Sequence, residues 1–542
     1  MTYNPKEIEA KWQKIWEKSK AFEASISDSP KKYIVPMFPY PSGNIHMGHM
    51  RNYTITDVIS RYWRDKGYNV CHPIGWDSFG MPAETAAIKN NIHPKVWTDQ
   101  NIESMREQMK SMGVSFDWSK EISTCDVNYW KSEQKFFIDM WNKGMIERRV
   151  GIVNWDPIDE SVIANEQVIN GRGWRSGAII EQKEMVQYYF KTTMFAKEMF
   201  DSIDEVEGSW SEVITKQQKQ FIENGTMQDG IQKPFSDWCV SRQRYWGTPI
   251  PMVHCKTCGT IPESIDNIPV MAPNDVVFDG KGNPISNHPT WKYCKCHSCG
   301  GDAERETDTM DTFVQSSWYF IQYVAPFNGE KFDEEAIKYW FPIDQYIGGA
   351  EHAISHMIYS RFFWRVFKKI GYINTDIKEP FKNVFTQGMV KKDGSKMSKS
   401  AGNGVSPNNM IDEWGADVSR MYIIFAAPPD QDMDWSDQNI VGVSRFVVRF
   451  WNMCVNFKNI THAPNEKNES IAIEKIKMIT ERTENVYEKT FKFNTIVAGA
   501  METYNAISKQ TNYDITVKGI KSIIKAIGPI APHICSEIEE MI

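Results

Sequence analysis

No apolar run in this 542-residue chain approaches the roughly 18 residues that a membrane-spanning helix requires. The N-terminal segment is charged and amphipathic, without a secretory apolar core. Both absences point to a cytosolic protein with no membrane partner. Cysteine is scarce too: ten residues are too few for a disulfide scaffold in a chain this long. The formal net charge is −7, which gives no global attraction to nucleic acid. Any RNA contact must therefore use local basic surface, such as Arg445, Arg449 and the Lys391 to Lys399 loop. The sequence contains no internal repeat and no low-complexity tract. It also has no Gly-x-x-x-x-Gly-Lys-Ser/Thr loop, which excludes that cradle for a triphosphate.

What is present is enough for three or more domains. Ile8, Trp12, Ile15, Trp16 and Ala21 recur at helical spacing, predicting an amphipathic helix that leads into the strand YIVPMF. A turn at Pro41-Ser42-Gly43 and a helix through Tyr62 follow, then a strand YNVCHPIGW and the loop GWDSFGMPAETAA. Strand, helix and strand in this order read as a right-handed crossover in a parallel sheet. Far downstream DQYIGGAEH, a helix through Phe367 and FKNVFTQGMVKKDG supply a second half. The expected fold is α/β: a Rossmann-like parallel sheet split by an insertion from about residue 120 to 340. From roughly residue 437, Phe446, Val447, Phe450, Trp451, Cys454 and Phe457 begin a helical stripe that predicts an antiparallel helical bundle.

Three clusters carry chemistry. His46 and His49 lie three apart at the start of a predicted helix, where unpaired N–H groups and the positive dipole end favour phosphate. On their own they fit packing or metal ligation as well, although no third metal ligand is near in sequence. Gly48 leaves room for a base or ribose against the backbone. Lys396-Met397-Ser398-Lys399-Ser400 sits among four lysines in nine residues. Such a loop is either solvated surface or a mobile arm that closes on a triphosphate. Cys255-Lys-Thr-Cys258 and Cys296-His-Ser-Cys299 have the spacing of a four-cysteine zinc ribbon. Cys294, His254 and His297 stand by as alternative ligands.

The stretches MFPYPSGNIHMGH, GWDSFGMPAE, VNWDPIDESVIANEQVINGRGWRSG, DWCVSRQRYWGTPIP, ETDTMDTFVQSSWY, GGAEHAISHMIYSRFF and GMVKKDGSKMSKSAGN together resemble the leucyl-tRNA synthetases of class I. MFPYPSG before the first histidine is similar to the leucine enzymes specifically. The resemblance implies ATP-dependent activation of L-leucine to leucyl-adenylate, then transfer to the terminal adenosine of tRNA(Leu). Mg2+ and structural Zn2+ would be the cofactors, and a monomer is the expectation.

Carried over residue by residue, His46 and His49 would meet the ATP phosphates, and Lys399, supported by Lys396, the α-phosphate. Glu351 would hold the ribose. Gly48, Gly348 and Gly349 would admit the nucleotide, and the backbone of Met389 and Val390 would form the adenine edge. Asp77 would hold the leucine ammonium group, with Met37, Phe38, Tyr40, His352 and His356 as pocket walls. Cys255, Cys258, Cys296 and Cys299 would hold zinc. Ser78 and Met81 depart from the alanine and leucine usual in the family, but Asp77 is intact.

Whole parts depart as well. The family carries a large editing domain where only some 27 residues separate Trp210 from Trp238, so no post-transfer editing is expected. A C-terminal tRNA-binding domain is likewise expected to be missing, with the last helix cut. The implied division is a first catalytic half at 1–190, a short linker at 191–237, and a zinc-bearing insertion at 238–310. The second catalytic half with its lysine loop occupies 311–436, and the bundle 437–542. A synthetase-derived RNA-binding protein without catalysis is the alternative.

Overall fold

The computed structural model describes residues 2–542 apart from 91, 229–230, 279–282, 393, 398–403, 458–464 and 510–511. Helix α1 (Pro5–Ser19) starts with proline in its first turn, where the missing N–H costs nothing. Strand β1 (Lys31–Pro36) follows, then helix α2 (Met47–Asp65) and strand β2 (Asn69–Cys71). The chain returns at strand β3 (Gln345–Gly349), helix α3 (His356–Ile370) and strand β4 (Val384–Gln387).

These four strands form one parallel sheet in the order β2-β1-β3-β4. The two halves join through Ile34↔Gln345, Val35↔Tyr346 and Pro36↔Ile347, so residues more than 300 apart in sequence pair directly. As the split-sheet reading anticipates, β1, β3 and β4 end along one edge, at Pro36, Gly349 and Gln387. In open α/β sheets ligands bind in the crevice outside such carboxyl ends.

The expected single strand YNVCHPIGW breaks in two. Asn69–Cys71 pairs with β1, whereas Pro73–Trp76 pairs in parallel with Asp117–Ser123. Pro73 has no N–H to donate, so the ladder is released there and the chain changes partner.

Helix α2 is buried on nearly every face from Met50 to Tyr62, as a helix packed between two layers must be. Its buried Asp57 is compensated by Arg61 and Arg420. Burial would push this carboxyl up, but the two guanidinium groups more than offset it and hold it well below the usual range. Downstream, the helices Asp437–Asn456, Glu466–Asn485, Asn494–Ile507 and Tyr513–Ile527 form the predicted bundle. A left-handed Phe491 separates the second and third of these helices. Among the described residues no helix is long and apolar enough to cross a membrane.

Candidate functional site

The site is built where the sheet's carboxyl edge meets the insertion. After β1, the Met37 N–H still donates to the Ile347 carbonyl at 2.8 Å, and the Asp77 N–H donates to the Pro39 carbonyl at 3.0 Å. The MFPYPSG segment thus ties Asp77 to the end of β3. The loop carrying Asp77 is held from both sides. The Tyr40 hydroxyl donates to the Gly80 carbonyl at 3.1 Å and accepts the Ala83 N–H at 3.2 Å. On the far side, Trp246 Nε1 donates to the Ser78 carbonyl at 2.8 Å. The serine that replaces the family's alanine donates to the Trp76 carbonyl at 3.1 Å and so stiffens the loop.

Asp77 Oδ1 is sealed from solvent and meets no donor among the described residues. Burial, and then the neighbouring acids Glu133 and Asp311, push the Asp77 carboxyl up to about 8. In the segment that Asp77 is tied to, Phe38 stacks on Tyr319, centroids 3.8 Å apart. The Tyr319 hydroxyl lies 2.7 Å from the Tyr346 hydroxyl, which lies 2.5 Å from His356 Nε2. Burial, with His352 adding to it, pushes His356 down to about 3, so it is a neutral wall at any working pH. Tyr319 and Glu133 were not legible as site residues. Tyr319 is within a recognised motif, but Glu133 looks like an ordinary helix charge. In fact it is buried and takes Thr248 Oγ1 at 2.6 Å, Trp318 Nε1 at 3.0 Å and Gln315 Nε2 at 3.2 Å. Burial still pushes it up to about 7.

At the start of α2 the two predicted histidines cap each other. The His49 N–H donates to His46 Nδ1 at 3.3 Å and the His46 N–H to His49 Nδ1 at 3.4 Å. Their rings stack at 3.7 Å. Because each Nδ1 accepts a proton donor, each neutral ring carries its own proton on Nε2. A side chain at Gly48 would press on the His46 imidazole at 3.0 Å, so glycine leaves the capping ring undisturbed.

Gly348 and Gly349 likewise leave room for neighbouring side chains. A Cβ at either would fall 2.1 Å from Met37 Sδ or from the Glu351 carboxylate, respectively. The space that the sequence assigns to an approaching nucleotide is thus filled by the chain's own Met37 and Glu351. Glu351 and His352 share the turn Ala350–His352 that ends β3.

At the predicted adenine edge, the Met389 N–H donates to Asp432 Oδ1 at 2.9 Å. The Met389 carbonyl takes the Met433 N–H at 2.8 Å, and the Val390 carbonyl takes that of Met397 at 3.1 Å. These groups have protein partners, and Arg51 gathers the neighbourhood. Its guanidinium donates to the carbonyls of Gly388, Met389, Pro428 and Gln431 at 2.7 to 3.2 Å. Arg51 thereby links α2 to the root of the lysine loop, a role with no local sequence signal. Lys396 ends a two-residue strand paired with Val390–Lys392. Its side chain, and Lys399 altogether, lie outside the described residues.

Cys255, Cys258, Cys296 and Cys299 converge, their Sγ atoms all within 4.8 Å of one another. They sit on a four-stranded antiparallel sheet formed by Met252–Cys255, Gly259–Pro262, Tyr293–Lys295 and Asp302–Arg305. Cys294 is outside the set. His254 spends both ring nitrogens on Thr260 and Glu306.

The family of class I tRNA synthetases (I, L, M and V) matches residues 11–436. The chain is 37% identical to a leucine--tRNA ligase of Nitratiruptor sp., covering 99% of this chain and 90% of the relative. It is 36% identical to that of Helicobacter hepaticus, with the same coverage. The first alignment runs over 733 positions against a chain of 542 residues, so the relative carries a domain-sized block with no counterpart here. Among solved structures, the agnB2 LeuRS of Agrobacterium radiobacter K84, in a ternary complex with tRNA and LeuAMS, superposes with a TM-score of 0.90 at 29% identity. The match covers 99% of this chain and 88% of that one. A Mycobacterium tuberculosis methionyl-tRNA synthetase bound to methionyl-adenylate matches at a TM-score of 0.68 and 17% identity over 94% and 93% of the two chains, a likeness of fold alone.

Proposed function

The chain belongs to the class I tRNA synthetases, among the leucine--tRNA ligases, and from that premise we propose how its site activates leucine and charges tRNA(Leu). The observation that carries the reading is Asp77. A buried carboxyl oxygen without a donor, in a loop tied to the segment whose Phe38 stacks on Tyr319, fits a ligand with one cation and an apolar side chain. Leucine is such a ligand. Phe38, Tyr319 and His356 wall its side chain, together with Met37, Tyr40 and His352. Loss of the Asp77 proton as the ammonium enters leaves the amino acid held at one end, with its carboxylate directed toward ATP.

His46 and His49 meet the triphosphate through their Nε2–H groups, at a helix N-terminus whose dipole favours the anion. Glu351 swings from its place over Gly349 to the ribose. The adenine lies against the strand end near Met389 and Val390, which Arg51 keeps in register with α2. The leucine carboxylate attacks the α-phosphate in line, pyrophosphate leaves, and Lys399 with Lys396 offsets the charge that develops. Transfer of leucine to the terminal adenosine then needs no covalent enzyme intermediate. Positioning supplies most of the acceleration. Bound with the triphosphate, Mg2+ would supply further neutralisation of its charge. Leucine-dependent ATP/pyrophosphate exchange across a panel of amino acids tests this reading. Leucine is expected to support exchange far above the rest, and equal exchange with an unrelated amino acid would overturn it.

The four-cysteine cluster fits a structural zinc ion. Four thiolates at a Zn–S distance of about 2.3 Å require S···S separations near 3.8 Å, and Cys255 and Cys299 already stand 3.6 Å apart. Four protein ligands leave no position for a catalytic water. Purified protein is expected to carry one zinc per chain by elemental analysis. Stripping it at pH 7 is expected to lower the unfolding temperature of the insertion, and protein that is zinc-free yet equally stable would refute the assignment.

Nor does the chain edit. One methylene in an apolar pocket discriminates by only about 10- to 200-fold, so near-cognate Ile, Val, Met or norvaline reaches the tRNA. Incubated with preformed mischarged tRNA(Leu), the protein is expected to leave the ester at its spontaneous hydrolysis rate. Rapid deacylation would sink this expectation.

A further inference from the structure

At 191–237 the sequence predicts a short linker at the place of a missing domain, but part of this segment, from Ser209 to Ser211, is built onto the catalytic sheet. Trp210 bridges Val384 in parallel. The Ser211 N–H donates to the Val384 carbonyl at 3.0 Å, and the Val384 N–H donates to the Ser209 carbonyl at 3.3 Å. The segment therefore covers the open edge of β4, which would otherwise expose unpaired backbone groups. The helix Glu212–Asn224 follows directly.

One side chain of this helix reaches the site. Gln218 is 0% exposed. Its Oε1 accepts Arg361 Nη1 at 2.6 Å and its Nε2 donates to the Ala353 carbonyl at 3.0 Å. A guanidinium only donates and a carbonyl only accepts, so the amide can sit in one orientation only. Arg361 is itself immobile. It is 0% exposed, and its Nε and Nη2 each meet Glu379 at 2.8 Å. Glu379 also takes Arg365 at 2.6 Å. Burial would raise the Glu379 carboxyl, but Arg361 and Arg365 more than offset it and bring it down to about 2. The network stays charged and rigid through neutral pH. Its far end is the Ala353 carbonyl, two residues beyond Glu351, and the Ala353 N–H closes the turn onto the Ala350 carbonyl at 3.2 Å.

We infer that Gln218 is a positioning residue for nucleotide binding: by holding the Ala353 carbonyl it fixes the Ala350–Ala353 turn so that Glu351 is presented to the ribose. This rests on the reading of Glu351 given above. Of the groups assigned to leucine only His352 lies in this turn; Asp77 sits on another loop, and His356 on Tyr346 and Phe38 on Tyr319 are secured separately. Loss of Gln218 therefore acts chiefly on ATP.

Three variants of the full chain, Gln218→Ala, Gln218→Glu and Glu351→Ala, test the inference by KM for ATP, KM for leucine and thermal unfolding. Gln218→Ala removes the donor and leaves a buried carbonyl unpaired, and KM for ATP is expected to rise about fivefold with KM for leucine changed less than about twofold. Gln218→Glu keeps an acceptor for Arg361 but turns an oxygen toward the Ala353 carbonyl. It is expected to raise KM for ATP at least as much while unfolding near the wild-type temperature. A merely packing role would lower the unfolding temperature and leave both KM values alone. If Glu351→Ala raises KM for ATP and neither Gln218 variant does, the inference falls and the ribose reading stands. If Glu351→Ala leaves KM for ATP unchanged, the ribose reading itself is wrong.

Discussion

Asp77→Asn is expected to raise the KM for leucine by about 10^2- to 10^3-fold while kcat changes little. The carboxylate–ammonium pair is made with substrate and transition state alike, so its loss is a loss of uniform binding. Removing one partner of a buried, charged pair costs about 2 to 5 kcal/mol, much of it from the ammonium left without a counter-charge. The pH dependence gives a second, sharper signature. In the empty site burial holds the Asp77 carboxyl up to about 8, so near neutrality it is largely protonated. Leucine's ammonium requires the carboxylate, so binding releases a proton. Affinity is therefore expected to improve as pH rises from 6 toward 8 and then to level off. Calorimetry with leucine alone, in two buffers of different ionisation enthalpy, measures that proton directly.

The asparagine variant is expected to bind leucine weakly and without pH dependence over this range. Its fold does not suffer. A carboxyl raised in the folded state destabilises that state progressively as pH climbs from the ordinary carboxylate value of about 4 to about 8. The wild-type protein loses that stability and the variant does not, so at pH 8 the variant is expected to unfold at the same or a higher temperature. Wild-type affinity for leucine in Asp77→Asn would remove the anchor from the mechanism.

Lys399→Ala is expected to lower the rate of ATP/pyrophosphate exchange by about 10^2-fold or more. An ammonium group aimed at the α-phosphate gains most when charge builds on the equatorial oxygens as the leucine carboxylate attacks. Such an interaction belongs to the transition state, so kcat and kcat/KM for ATP are expected to fall together. Leucine binding without ATP, which depends on Asp77, is expected to remain at the wild-type level, as is the far-ultraviolet circular dichroism. Lys396→Ala is expected to have a smaller effect, because its role is support. An exchange rate unchanged by Lys399→Ala would count against the assignment of the lysine loop to catalysis.

Much of this architecture was legible in the sequence because it is local. The His-Met-Gly-His start of α2 is a helix terminus within one turn of chain. The Cys-x-x-Cys pairs are two tight turns whose spacing alone matches a zinc site. The parallel halves followed from strand, helix and strand order, and β1 does pair with β3. The reading failed where a residue's meaning depends on a distant partner. YNVCHPIGW looked continuous because the alternation of side chains does not record which strand will pair with it.

By itself, then, the sequence determined which chemistry is available: two histidines at a helix start, a lysine loop, two Cys-x-x-Cys pairs and an acid in a glycine-flanked loop. It also determined that the domain-sized insertion of its relatives is absent. Only the tertiary structure decided what those groups meet. Asp77 is proposed as the anchor because Pro39 and Trp246 enclose its loop from segments 38 and 169 positions away, leaving an oxygen dry and unpaired among the described residues. Gln218 lies against the Ala353 carbonyl, 135 positions on in sequence, and Arg51 caps carbonyls more than 300 positions away. Burial and hydrogen-bond completion are properties of a three-dimensional neighbourhood. Residues of one type and one local pattern therefore become surface, support or site according to what the fold brings against them.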